Sequence, residues 1–559
     1  MYTESPSWTK NVILYEIATK GFTSPNGPGS GNFRSTAEKL PYLRDLGINT
    51  IWLTGHQLCD PRHFYNIWTE YAAVDPFQID ESLGTKEDFK AFVSEAHAYG
   101  IRVILDVITH GLMKNSLIVQ QHPAWFAGGS WGMIDFDWNG GHEALDQWWV
   151  ENWLRYVTEF GIDGFRLDVA VYRPDLWAWI REKAAASGHE IIIVPEHSPG
   201  LRGMSDFQQH GDRLSEQRVG VSYHHPALQD MAGHIRRMCD SGAVDYRIEI
   251  QFTDGSTMGS ENSGIEGFYA ENLPPIMQYH GKTCIQSMRI RVENLPLEKT
   301  ISEIIISDRY KNQWKLSETY ETEYATRYSG KPPQIEITFP IRQQAGQYLS
   351  MQLSCHDNGW TGFPHQENPF AGRGSRFRMG YGLLLAPLVP VMMSGEEFNA
   401  DFTPLPTLSP DLYGGDGKNG LGRWLYGNQL GWDQLDRKRD VLEDTRRMLD
   451  IRRQHNGLIH AFRVDNPQEK LGWVRFSASA PIPVPYSYSD RKRLIVVGGN
   501  PNTATAVVLT LELPDWENAT VTDLFHQQPL GTHHAGKEYT IPKDCTAGGG
   551  LLVLELCRE

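Results

Sequence analysis

The sequence predicts an α/β fold in which a parallel sheet curls into a barrel, and three observations carry that prediction. Apolar, strand-like runs alternate with amphipathic helical runs from residue 12 onward, which is the pattern of βα units. Three of the apolar runs end in an acid: Gly164-Phe-Arg-Leu-Asp168, Ile191-Ile-Ile-Val-Pro-Glu196, and Tyr348-Leu-Ser-Met-Gln-Leu-Ser-Cys-His356-Asp357. In the first of them Arg166 and Asp168 alternate, so a strand would put both side chains on one face. Read singly, that pair is a structural ion pair. Three strands that each deliver an acid at the C-terminal end describe a barrel active site.

The elements follow in order. Residues 12–19 are apolar and β-branched, a first strand, and a Gly/Pro/Ser loop covers 24–32. Residues 33–47 have helical spacing at Leu40, Leu43 and Leu46, with Gly47 as the stop. A second strand covers 49–53. A loop holding Tyr65, Trp68 and Tyr71 then leads to Thr85, the N-cap of a helix over 86–99 closed by Gly100. Residues 101–108 are a third strand. The excursion over 111–141 is too long for an ordinary βα loop and so is expected to be functional. A helix over 142–160 feeds the Asp168 strand; a helix over 174–187 and a fifth strand over 190–195 follow. Nearer the C-terminus come a helix over 376–385, a strand over 389–393 and a charged helix over 437–454.

The stretch between Glu196 and Asp357 is much longer than two βα units need. Within it, residues 245–252, 284–293, 300–307 and 334–339 alternate polar and apolar side chains, so 243–343 are expected to form an inserted antiparallel β-module. From 459 onward, short alternating segments such as 494–497 and 506–513 predict a C-terminal β-sandwich.

Composition narrows the function. The chain has 559 residues, 40% hydrophobic and 21% charged, which suits a soluble barrel with satellite domains. Its net charge of −16 argues against a nucleic-acid partner, which would want a basic face. No run is long enough to span a membrane, and no apolar leader follows Met1, so a cytoplasmic protein is expected. The 6 cysteines are scattered and suit reduced thiols rather than a disulfide framework or a zinc site. The 17 Trp, 23 Tyr and 22 Phe fit a protein that stacks sugar faces, and equally a large core. Nothing in the sequence sets the oligomeric state.

Taken together and in this order, Gly164-Phe-Arg-Leu-Asp168, Glu196 and His356-Asp357 resemble the signature regions of the α-amylase family of glycoside hydrolases, family 13. The resemblance runs from about residue 13 to the C-terminus. It implies a (β/α)8 TIM barrel over 1–242 and 344–458, with 111–141 as a short excursion, 243–343 as an unusual insertion and 459–559 as the C-terminal β-sandwich. It also implies that Asp168 is the nucleophile, Glu196 the general acid/base, and Asp357 the third acid that holds the distorted sugar.

These roles suit the chemistry, because paired carboxylates cut glycosidic bonds through a positively charged transition state. Arg166 is expected to keep Asp168 ionised, and the apolar run before Glu196 to raise the pKa of that acid. His356 would donate to sugar hydroxyls. Asp106, in Asp106-Val-Ile-Thr-His110, matches the aspartate that opens the family's first conserved region. That region usually ends in Asn-His, whereas this chain has His110-Gly111; either His110 keeps the sugar-contacting role one position early or that histidine is lost. The absent asparagine is a calcium ligand in many relatives, while Asp135 in Met133-Ile-Asp135-Phe-Asp137 resembles another; with one ligand present and one missing, no metal and no cofactor is expected. Tyr65 would supply the stacking aromatic; Tyr71 is the alternative, and reads rather as a core residue before Val74-Asp-Pro76. Val169-Ala-Val171-Tyr172 stands where many endo-acting amylases carry Lys-His, which argues against a standard liquefying amylase.

The reading is a retaining hydrolase of α-glucans or malto-oligosaccharides with a carbohydrate as its partner. A transglycosidase or a sucrose/trehalose-type isomerase uses the same carboxylates and is the alternative. A non-catalytic carbohydrate-binding relative would typically lose one acid, and here all three are present.

Overall fold

The computed structural model describes residues 5–27, 29–60, 71–129, 132–138, 140–169, 172–196, 206–207, 246–260, 268–277, 284–293, 299, 301–308, 313–315, 334–341, 350–352, 356, 372–384, 389–400, 402–404, 428–461, 472–480, 482, 485–500, 506–513, 516–546 and 550–558. Seven strands form one sheet: β1 (Leu14–Ala18), β2 (Thr50–Thr54), β3 (Arg102–Val107), β4 (Gly164–Leu167), β5 (Ile192–Pro195), β6 (Ser350–Gln352) and β7 (Val389–Met393). Their order is β6-β7-β1-β2-β3-β4-β5, and every pair is parallel. The first strand therefore lies between the second and the last, as a sheet curling back on itself requires. The strand expected between β5 and β6 falls outside the described residues.

Helices alternate with the strands: α1 (Leu40–Leu46), α2 (Lys86–Ala98), α3 (Glu143–Phe160), α4 (Pro174–Ala186), α5 (Gly372–Leu383) and α6 (Arg439–Gln454). The single helix expected over 33–47 is two, Phe33–Ala37 and Leu40–Leu46. Pro41, in the first turn of α1, lacks the N–H that a continuous helix would use there. Thr85 caps α2 as expected: its hydroxyl accepts from Asp88 N at 3.1 Å, and the Asp88 carboxylate accepts from Thr85 N at 2.9 Å.

Strand parity sets the layers. On β1 to β5 the odd-numbered residues, among them Tyr15, Leu53, Leu105, Phe165 and Ile193, join the core shared with the helices. Their even-numbered residues face inward, where Leu14, Trp52, Ile104, Ile192 and Val194 form a separate apolar cluster with Val391 of β7. Gly164 opens β4 because a Cβ there would stand 2.2 Å from Ile192 O of the neighbouring strand.

The excursion after β3 is more ordered than its composition suggests. Gly111–Met113 pairs antiparallel with Met133–Asp135, and Leu117–Gln121 is helical. Within the long stretch before β6, Thr257–Ser260, Tyr246–Phe252, Ile301–Asp308 and Gln313–Lys315 form one antiparallel sheet; Phe268–Met277, Cys284–Glu293 and Gln334–Ile341 form another. Phe268–Met277 has no clean alternation, because Pro274 and Pro275 fall where its register shifts. Near the C-terminus, antiparallel sheets of 6 and 3 strands share an apolar cluster that includes Val496, Leu511, Val521, Ile541 and Leu554. Among the described residues, no helix is long and apolar enough to cross a membrane.

Candidate active site

Strand register assembles the site. Asp106 on β3 pairs with Arg166 on β4, which pairs with Val194 on β5. One residue beyond the pair Leu167–Pro195, Asp168 and Glu196 therefore emerge side by side from neighbouring strand ends. Backbone bonds fix both: Asp168 N donates to Val107 O at 2.9 Å, and Glu196 N donates to Leu167 O at 3.0 Å.

Arg166 is the hub. Its side chain is 0% exposed, and its Nη1 donates to Asp106 Oδ1 at 2.8 Å, Asp168 Oδ1 at 2.7 Å and Tyr71 Oη at 3.1 Å. Its Nη2 lies 3.0 Å from Glu196 Oε2, and its guanidinium lies over the Trp52 ring at 4.8 Å. One cation thus serves three carboxylates. Asp106 is bound from the other side as well, its Oδ2 accepting from Trp52 Nε1 at 3.0 Å and Tyr71 Oη at 2.6 Å.

Burial pushes the Asp168 carboxyl well above its ordinary range, Arg166 pulls it back, and Glu196 and Asp106 add repulsion. The opposite charge of Arg166 acts as expected but does not prevail over burial in the free protein. Asp168 therefore holds its proton above the usual carboxylate range.

Glu196 Oε2 also accepts from Val169 N at 2.7 Å. Val169 holds φ at 64°, a left-handed conformation that β-branched residues avoid. That strain sits in the turn that aims the backbone N–H at Glu196. Thr109 Oγ1 donates to Asp168 O at 2.7 Å and fastens the same turn to the end of β3.

His110 reaches the site: its Nε2 is 3.6 Å from Asp168 Oδ2, and its Nδ1 is 3.6 Å from Asp135 Oδ1. Burial lowers its pKa, while Asp135 and Glu196 raise it. Among the described residues, no group of three or more His, Cys, Asp or Glu side chains converges. Asp357 and Tyr65 fall outside the described residues. Tyr71, the alternative aromatic, is buried in the hydrogen-bond network.

His356 is buried beside this cluster, with its Nδ1 against Glu16 Oε1 and its Nε2 3.5 Å from Tyr71 Oη. Sequence reasoning missed Glu16 and Trp52. Glu16 carries the same signal that exposed Asp168, a lone acid within an apolar strand, in Ile13-Leu14-Tyr15-Glu16-Ile17. Trp52 gave no signal, because a tryptophan in an apolar strand is indistinguishable from core.

The family model for the α-amylase catalytic domain matches residues 16–116, and solved structures of that family align over nearly the whole chain. Residues 16–116 are thus similar to the α-amylase catalytic domain. A noncanonic maltogenic α-amylase from Thermotoga neapolitana superposes with a TM-score of 0.60 at 17% identity, covering 99% of this chain and 100% of that one, a likeness of fold. By sequence, the chain is 38% identical over 107 residues to a trehalose synthase of Pimelobacter sp. (strain R48), covering 19% of the chain and 18% of that relative. It is 27% identical over 245 residues to an intracellular maltogenic amylase of Bacillus subtilis, covering 36% of the chain and 41% of that relative. The matched regions thus span less than half the length of these curated relatives.

Proposed function

We propose that the chain is a retaining α-glycoside hydrolase acting on α-glucans or malto-oligosaccharides by double displacement. The observation that carries this reading is the placement of Asp168 and Glu196 at adjacent strand ends on one buried guanidinium. Adjacent strands stand about 4.8 Å apart, which suits the separation of roughly 5–5.5 Å of a retaining pair. Asp168 attacks the anomeric carbon while Glu196 delivers a proton to the leaving oxygen. Glu196 then takes a proton from water, and that water displaces Asp168. Asp357 braces the distorted sugar, and Asp106 and Arg166 fix the two reacting acids. In this reading Glu196 carries every proton of the cycle, and the displacement steps themselves call for no cofactor.

In the same reading the parallel sheet is a closed (β/α)8 barrel over 1–242 and 344–458. Residues 243–343 are an insertion near the catalytic face, and 459–559 are a β-sandwich. The alternative, a transglycosidase or isomerase, is favoured by one observation, the 38% identity to a trehalose synthase. The same carboxylates would serve it with a sugar hydroxyl in place of water.

Product analysis over maltose, maltotriose, isomaltose, sucrose, trehalose and an aryl α-glucoside tests the reading. Hydrolysis predicts release of glucose or shorter chains with a gain in reducing ends. An isomerase predicts a new disaccharide from maltose or sucrose at constant sugar count. A folded protein that turns over none of these substrates would overturn both.

A further inference from the structure

The inner face of β1 carries an acid that the displacement mechanism does not use. Glu16 is 1% exposed, its Oε1 lies against His356 Nδ1, and its Oε2 has no hydrogen-bond partner among the described residues. On the far side of the imidazole, Nε2 faces Tyr71 Oη at 3.5 Å. Tyr71 has one hydroxyl hydrogen, and it goes to Asp106 Oδ2, 2.6 Å away. The lone pairs of Tyr71 Oη are therefore what Arg166 Nη1, at 3.1 Å, and His356 Nε2 meet. Arg166 only donates. A bare nitrogen lone pair at His356 Nε2 would face oxygen lone pairs, so the geometry favours a proton there. At Nδ1, a carboxylate with no other hydrogen-bond partner among the described residues favours a second one.

We propose that Glu16 is a positioning residue that keeps His356 in its doubly protonated form, so that Nε2–H is a charged donor to a sugar hydroxyl. A neutral imidazole giving its one proton to Glu16 would present Nε2 as an acceptor instead. The rings of Trp52 and Tyr71 flank the imidazole at 5.6 and 5.5 Å, surroundings that tolerate a cation. Among the described residues, the other charges facing Glu16 are Arg166, which favours its ionised form, and Asp106, which opposes it. Burial raises the Glu16 carboxyl, and His356 and Arg166 draw it back. The substrate role of His356 rests on the glycosidase reading above; its protonation state does not.

The decisive experiment is nitrogen-15 NMR of histidine-labelled, ligand-free protein, with the His356 signals assigned by their loss in His356→Asn. Wild type should show both His356 nitrogens protonated at pH 7, and Glu16→Gln should shift the titration at least one pH unit lower. In kinetics, the alkaline limb of kcat/KM should move the same way, with about a tenfold loss near pH 8, the worth of one charge-assisted hydrogen bond. Activity at the acid end of the profile should recover, which a purely structural role for Glu16 would not give. A neutral His356 at pH 7 in wild type, or the same titration in Glu16→Gln, overturns the proposal. If Glu16→Gln does not fold, the wild-type titration alone decides: a His356 pKa at or below the ordinary value contradicts it. Failure of the glycosidase reading has a separate signature, an active Asp168→Asn.

Discussion

Tyr15 and Glu16 are consecutive on β1 and lead to two different kinds of buried carboxyl. On the inner face, one guanidinium, Arg166, is shared by Asp106, Asp168 and Glu196. On the outer face, Glu397 follows β7 and accepts from Tyr15 Oη at 2.9 Å and Tyr42 Oη at 2.8 Å. Those donors are neutral, and burial pushes the Glu397 carboxyl up to about 7. A lone buried acid among neutral donors relieves its desolvation by taking a proton. On the inner face burial raises Asp168 as well, but there a fixed cation, Arg166, opposes the rise, and the Glu397 donors Tyr15 and Tyr42 supply no such charge. Burial alone therefore does not mark a catalytic acid; the charge balance around it does.

The comparison breaks first, and furthest, at the inner acids. Asp168→Asn and Glu196→Gln should each lower kcat by roughly a thousandfold or more while leaving circular dichroism and the unfolding midpoint near wild type. Near-native turnover in either folded variant would place the chemistry elsewhere. Next in size is Arg166→Met, which leaves three buried acids without their cation. Denaturant unfolding at pH 8 should show a loss of about 3–5 kcal/mol. The loss should shrink toward pH 5, where the acids can take up protons; a loss independent of pH would mean that packing, not charge, is what Arg166 supplies.

Glu397→Gln sharpens the other side. A carboxyl raised from 4.5 to about 7 binds its proton more tightly in the folded protein. Its contribution to stability is fully present below about pH 4.5 and is lost as pH rises through about 7, roughly 3 kcal/mol in all. Glutamine keeps an acceptor for both tyrosines and has nothing to ionise. The variant should match wild type at pH 4.5 and exceed it at pH 8, with kcat/KM unchanged. Equal stability of the two proteins across that range would deny Glu397 its raised pKa. The smallest effect belongs to Val169→Gly. Releasing a left-handed valine should stabilise the fold by about 1 kcal/mol, and kcat should fall as the N–H that holds Glu196 loosens. A destabilised variant with intact kcat would mean that the turn stores no strain.

Much of this was legible in the sequence where a charge interrupts an apolar strand. Arg166, Asp168 and Glu196 stood out that way, and their common face follows from strand parity. Glu16 broke the same rule in β1 and passed unnoticed because no second motif pointed to it. Other parts were illegible for physical reasons. The break between the two helices over 33–47 depends on Pro41, which a helix accepts in its first turn as readily as it ends there. The left-handed turn at Val169 cannot be read from a residue type that disfavours it. Tyr71 reads in the sequence as an alternative stacking aromatic or core residue, and its hydrogen bonds to Asp106 and Arg166 join residues 35 and 95 positions apart.

The central claim, that Asp168 attacks carbon while Glu196 manages the proton, is tested most directly by stereochemistry. Proton NMR of the first turnovers of an aryl α-glucoside, recorded before mutarotation, reports the configuration at the released anomeric carbon. Two successive displacements return that carbon to its starting configuration, so the α-anomer should appear first. A β-anomer appearing first would mean a single displacement by water, and Asp168 would not be the nucleophile.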